Sequence, residues 1–126
     1  MSRPAAELTA RELEVMHVFW RHGALTAADA RAHLAQVTRD LTYTTVANLV
    51  RILLEKSFLR QTNDERPFVY APARTYEEVS KRLLSEVVDR VFRGSREQLL
   101  VRLLERRQLT QKERAVLQAI LEEEPS

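Results

Sequence analysis

The stretch Leu41–Pro72, LTYTTVANLVRILLEKSFLRQTNDERPFVYAP, passes from a helical pattern straight into two short β-rich segments around a polar turn. No other part of the chain restricts the fold as much. Val46, Leu49, Val50 and Leu53 recur at helical spacing and would bury one side, while Thr44, Asn48, Arg51 and Glu55 follow the same period on the opposite side. A helix over 43–56 is expected, with Thr42 as its cap. Residues 58–61 and 68–71 are expected as the strands of a hairpin, with 62–67 as the turn and Pro67 tolerable at a sheet edge. The competing reading, a purely helical bundle with 58–71 as an irregular loop, sits badly with the β-rich FVY run.

Upstream and downstream, helix starts are marked by capping boxes: Thr9 with Glu12, Thr75 with Glu78, Ser95 with Gln98, Thr110 with Glu113 and, with the shorter acid, Thr26 with Asp29. The first helix carries Leu13, Met16, Val18, Phe19 and Trp20 and is expected to stop at Gly23 in a left-handed conformation. A short second helix over 27–36 presents Ala30, Ala32 and Leu34 as its apolar side, and Thr38, Arg39 and Asp40 make the turn into the third. Three helices closed by a two-stranded hairpin are a winged helix-turn-helix. Beyond Pro72 only helical pattern remains, over about 76–92, 96–106 and 111–123. The expected fold is mainly α with a small β-hairpin: a winged domain over 1–74 and a three-helix segment over 75–126.

That segment carries more apolar surface than about 50 residues bury alone. A second copy of the chain is the simplest cover, so Val79, Leu83, Val87, Val88, Val91, Leu100, Leu103, Leu104, Val116, Leu117 and Ile120 are expected to form a homodimer contact. Two-fold symmetry would then set the two third helices about 34 Å apart, one turn of duplex DNA.

The exposed row of the third helix has the chemistry of major-groove readout. Thr and Asn hydrogen-bond base edges or phosphates, and an Arg fork matches guanine O6 and N7. Thr44, Asn48 and Arg51 are expected at base edges, Tyr43 and Thr45 at phosphates, and Arg39 on the backbone from the preceding turn. Thr42 is mainly a cap with phosphate contact secondary. Arg60 and Arg66 flank the wing, where they either meet phosphate or a minor groove, or pair with Asp64 and Glu65 inside the wing.

Charge agrees weakly with this division. The net charge is +2; residues 1–74 hold ten Lys or Arg against eight Asp or Glu, and residues 75–126 ten against ten. Cysteine is absent, which excludes disulfides and thiolate chemistry, and neither a signal peptide nor a membrane-spanning run is visible, so a cytoplasmic protein is expected. His17, His22 and His33, with Glu14 or Asp29, are spaced poorly for a metal, no catalytic constellation stands out, and no cofactor is expected.

The chain resembles the penicillinase-repressor family of BlaI/MecI type, bacterial winged-helix repressors. The resemblance is carried by LTARELEVMHVFW, LTAADARAHL, LTYTTVANLVRILLEKSFL, the RPFVYAP wing strand and a tail containing RGSREQLLVRLLE. It implies a homodimer on a palindromic operator that blocks transcription, of antibiotic-resistance genes among others. It also implies release by a sensor-triggered protease, at an Asn-Phe pair in some members; Arg102-Leu103 stands there in this chain. Copper-responsive relatives use cysteines that this chain lacks. Two other classes compete with a repressor: a winged-helix protein-interaction adaptor and a small-ligand-responsive regulator.

Overall fold

The computed structural model describes residues 8–38, 40–105 and 109–123. The order is α1 (Ala10–His22), β1 (Leu25–Thr26), α2 (Ala27–Val37), α3 (Tyr43–Glu55), β2 (Leu59–Gln61), β3 (Val69–Pro72), α4 (Tyr76–Arg90), α5 (Arg96–Glu105) and α6 (Gln111–Glu123). Residues up to Leu84 form one compact unit, and those from Ser85 form another.

The boxes read from the sequence set the helix starts. Thr9 Oγ1 accepts from Glu12 N at 3.1 Å while Glu12 Oε1 accepts from Thr9 N at 3.0 Å. The Thr26–Asp29, Thr75–Glu78 and Thr110–Glu113 boxes close in both directions. Ser95 supplies the hydroxyl half of its box, accepting from Gln98 N at 3.1 Å. Each box satisfies amides that have no partner within the helix. Gly23 ends α1 at φ 86°, ψ −139°, a glycine-only region other than the left-handed helical stop expected there.

The core of the first unit joins Val15, Met16 and Phe19 of α1, Ala30 and Leu34 of α2, Val46, Val50 and Leu53 of α3, and Phe58, Leu59 and Val79. Each fully buried aliphatic or aromatic side chain here stabilises the fold by about 1.5–3 kcal/mol. Ala32, expected in the core, is exposed. The buried side of α2 is Ala27, Ala30 and Leu34, the i, i+3, i+7 row, and Ala32 points away from that row.

The wing differs from a simple hairpin. The sheet has three strands in the order β1-β3-β2, all antiparallel, with Leu25 opposite Tyr70, Thr26 opposite Val69, and Arg60 opposite Ala71. The central strand is thus the returning one, and β1 fastens the wing to the start of α2. Two further ties join these elements. Arg31 Nε donates to Leu41 O at 2.8 Å, bracing the turn before α3, and Trp20 Nε1 donates to Arg74 O at 2.9 Å, tying α1 to the chain after β3.

α3 ends in a Schellman stop. Phe58 N donates to Leu53 O at 2.9 Å and Ser57 N to Leu54 O at 3.0 Å, with Ser57 at φ 67°.

In the second unit α5 has no buried residue, and the side chains of α6 described are exposed.

Candidate nucleic-acid interface

The amphipathic division of α3 is what creates a surface able to enter a groove. Val46, Val50 and Leu53 anchor it in the core, so Thr44, Asn48, Arg51 and Glu55 are presented to solvent on the opposite face. Thr42 caps the helix, accepting from Thr45 N at 3.2 Å, and its hydroxyl donates to Thr45 Oγ1 at 2.9 Å. Thr45 is half-buried, and Tyr43 is 53% exposed at the first helical position. Thr44, Thr45, Ala47, Asn48 and Arg51 line one shallow hollow.

Arg51 is not a bare cation. One terminal nitrogen donates to Glu55 Oε2 at 2.9 Å and the other to Asn48 Oδ1 at 2.5 Å, so the three side chains form a clip along the exposed row. Both members of the ion pair are more than half exposed, at 59% and 62%.

A second concavity, of about 500 Å³, opens between the wing and two helix starts; Thr26, Ala27, Tyr43, Arg66, Phe68 and Tyr70 are among its walls. Arg66 lies against the Phe68 ring, 5.3 Å from its centroid, a cation–π contact in place of the ion pair with Asp64 or Glu65 weighed from the sequence. Burial, then the neighbouring Tyr43, pushes the Tyr70 phenol above its ordinary range, while Arg66 pulls the other way. The phenol stays protonated at neutral pH and is a hydrogen-bond donor. Tyr70 lies outside the row of residues expected at DNA from the sequence, although its alternation with Phe68 along FVYA sends both to one face of the strand. Arg60 is exposed on β2, and Arg39 lies outside the described residues.

The histidines divide without converging. His17 meets Trp20 edge-on at 5.3 Å, and His22 stacks on His33 at 3.7 Å. Among the described residues no group of three or more His, Cys, Asp or Glu is placed to hold a metal ion. Nor is any described helix long and apolar enough to cross a membrane.

The residues expected at a self-association surface separate into two sets. Val79 is 2% exposed and belongs to the core of the first unit, and Leu83 packs partly buried against that core, so Val79 is withdrawn from the interface set. Its position one turn into α4 brings it under the winged unit's own apolar residues. Val87, Val91, Leu100, Leu103, Leu104, Val116, Leu117 and Ile120 are exposed, and Val88 is half-buried. Arg102 and Leu103 sit inside α5, where Arg102 grips Glu105 through both carboxylate oxygens at 3.1 and 2.9 Å.

This arrangement has relatives. The chain is 26% identical over 117 residues to the penicillinase repressor of Bacillus licheniformis, spanning 93% of this chain and 91% of that one. It is 24% identical over 121 residues to the methicillin resistance regulatory protein MecI of Mammaliicoccus sciuri, spanning 96% and 98%. The fold of the first unit is similar to the solution structure of the DNA binding domain of the repressor BlaI, with a TM-score of 0.52 and 24% identity over 62% of this chain and 93% of that one. The Penicillinase repressor family matches residues 8–123, a span that runs through both units, and the chain belongs to that family.

Proposed function

We propose that the protein is a transcriptional repressor that binds a palindromic operator as a homodimer and blocks transcription by covering the promoter. The observation that carries this reading is the exposed outer row of α3, with Thr44, Asn48 and Arg51 facing solvent on a helix whose other side is fixed in a winged-helix core. Major-groove edges present acceptors to the guanidinium and a matched donor and acceptor pair to the Asn amide. Tyr43, Arg60, Arg66 and Tyr70 flank that row and supply donors to the phosphate backbone. The exposed apolar residues of α5 and α6 pair two copies, and two linked half-sites bind far more tightly than one. The names of the relatives, a penicillinase repressor and a methicillin resistance regulator, support β-lactam resistance genes as candidates for the regulated set.

Footprinting of the full chain on the DNA upstream of its own gene tests this. The expected result is protection of an inverted repeat with halves about one duplex turn apart, lost steeply as salt rises. Uniform, sequence-blind protection would overturn the operator, and no retention of DNA at low salt would overturn nucleic-acid binding altogether.

A further inference from the structure

We infer that Glu55 determines specificity on the reading helix by competing with DNA for Arg51, an inference that rests on the DNA-binding reading above. In the free chain both terminal nitrogens of Arg51 are engaged along its own helix, with Glu55 on one at 2.9 Å and Asn48 on the other. Both ion-pair partners stand largely in water. An exposed i,i+4 pair of this kind is weak, so it yields readily to a better partner and competes with a poor one.

The chemistry of the candidate partners decides which is which. Guanine offers O6 and N7, two acceptors in one plane at the spacing of a guanidinium fork, and replaces both of the acceptors Arg51 gives up. Adenine presents an N6 donor beside N7, and a pyrimidine edge offers a single acceptor or a donor, so the exchange at those bases leaves part of the fork unpaired. A phosphate replaces one anion by another and abandons the Glu55 carboxylate beside a polyanion. On an arbitrary sequence Arg51 therefore remains clipped and its charge is cancelled; opposite guanine the clip opens. Glu55 gains its effect mainly by weakening the wrong complexes, and its freed carboxylate accepts only from a donor such as cytosine N4. Asn48 accepts from the other nitrogen in the same row, which aligns the guanidinium along the helix until guanine takes both nitrogens together.

The test begins with selection of a binding sequence from a random duplex pool by the full chain. The enriched duplex and a shuffled duplex of equal composition are then titrated, across a range of salt, with the wild type, Glu55→Gln, Arg51→Met and the double variant. Glu55→Gln is expected to bind the shuffled duplex about fivefold more tightly at physiological salt, with a salt slope steeper by roughly 1.8 for the dimer, about 0.9 for the one phosphate contact recovered in each subunit. It gains less on the enriched duplex, so the ratio of the two affinities falls, and the gain disappears in the Arg51→Met background. An unchanged ratio in Glu55→Gln overturns the inference, as does a gain that persists without Arg51, because Glu55 would then act as a diffuse negative charge. Enrichment of no sequence by the wild type overturns sequence-specific reading, and no retention of duplex at low salt overturns DNA binding itself.

Discussion

Lys56 Nζ lies 2.8 Å from Glu12 Oε1, joining the end of α3 to the first turn of α1. The same carboxylate oxygen accepts from Thr9 N and closes the α1 capping box, so one group serves a helix start and an inter-helix tie. Glu12 is 4% exposed, the single charged residue in the core of the first unit among the described residues. A carboxylate taken out of water is tolerated only while it stays paired and hydrogen-bonded.

Lys56→Met is accordingly expected to destabilise the chain by about 1–3 kcal/mol, less than for a wholly buried pair because the lysine is a quarter exposed. Adding Glu12→Gln, which keeps an acceptor for Thr9 N but removes the unpaired charge, should cost less than the two single losses summed. Chemical denaturation of the four proteins measures this. Strict additivity would show that the 2.8 Å contact contributes no coupling.

Ser57→Gly is expected to stabilise the protein. Ser57 occupies the left-handed position of the stop after α3 at φ 67°, where a Cβ crowds the following carbonyl by about 1–2 kcal/mol, and glycine is free of that cost. The gain is offset in part by the greater freedom of glycine in the unfolded chain, leaving about 0.5–1 kcal/mol. A rise in melting temperature with unchanged DNA binding would fit. A fall would mean that the Ser57 hydroxyl or the stiffer unfolded chain outweighs the backbone strain.

His22 is expected to give the fold a modest pH dependence. Lost hydration, then the charges of His33 and Arg21, hold its imidazole below the ordinary histidine range, with the His33 ring stacked 3.7 Å away. The folded chain thus favours neutral His22, while the unfolded chain binds the proton at higher pH. Between those two points the unfolded state carries more protons, so stability falls as pH drops through the ordinary histidine range and levels off once the folded imidazole is also protonated. Thermal melts at neutral and mildly acidic pH should show a shallower acid loss in His22→Gln than in the wild type. Identical slopes would place the dependence elsewhere.

Local chemistry was the most legible part of the sequence. The Thr9–Glu12 and Thr26–Asp29 boxes appear where the residue types put them, because a capping box needs only four consecutive residues. The division of α3 into a buried and an exposed row was equally readable, since Val46, Val50 and Leu53 keep a clean helical period. Strand β1 was not: two residues, Leu25 and Thr26, are too few to show alternation, and only their pairing with Tyr70 and Val69 makes them a strand. The stripe on α4 revealed which residues are apolar and not which neighbour claims them, so Val79 was assigned to a partner chain when its own core takes it. The Arg51 clip escaped for a related reason. Glu55 stands at i+4, but residue types at helical spacing do not show whether neighbours in an exposed row face outward singly or pair with one another.

The exposed leucines and valines of the second unit lead to the last prediction. Leu100 is 53% exposed on α5 and Ile120 is 54% exposed on α6, and monomeric proteins rarely leave contiguous apolar patches of any size in water. If two copies cover these residues, Leu100→Glu with Ile120→Glu places charge in a desolvated contact and should convert a dimer to a monomer in sedimentation, while the far more buried core around Phe19 and Leu53 keeps its melting transition. Val79→Asp should behave oppositely, unfolding the first unit because that side chain is 2% exposed inside it. Operator affinity in the double glutamate variant then falls toward that of a single half-site, since the second contact loses its effective concentration. A variant that sediments as an intact dimer would move the interface off α5 and α6, and with it the account of how two reading helices are held at one pitch of duplex.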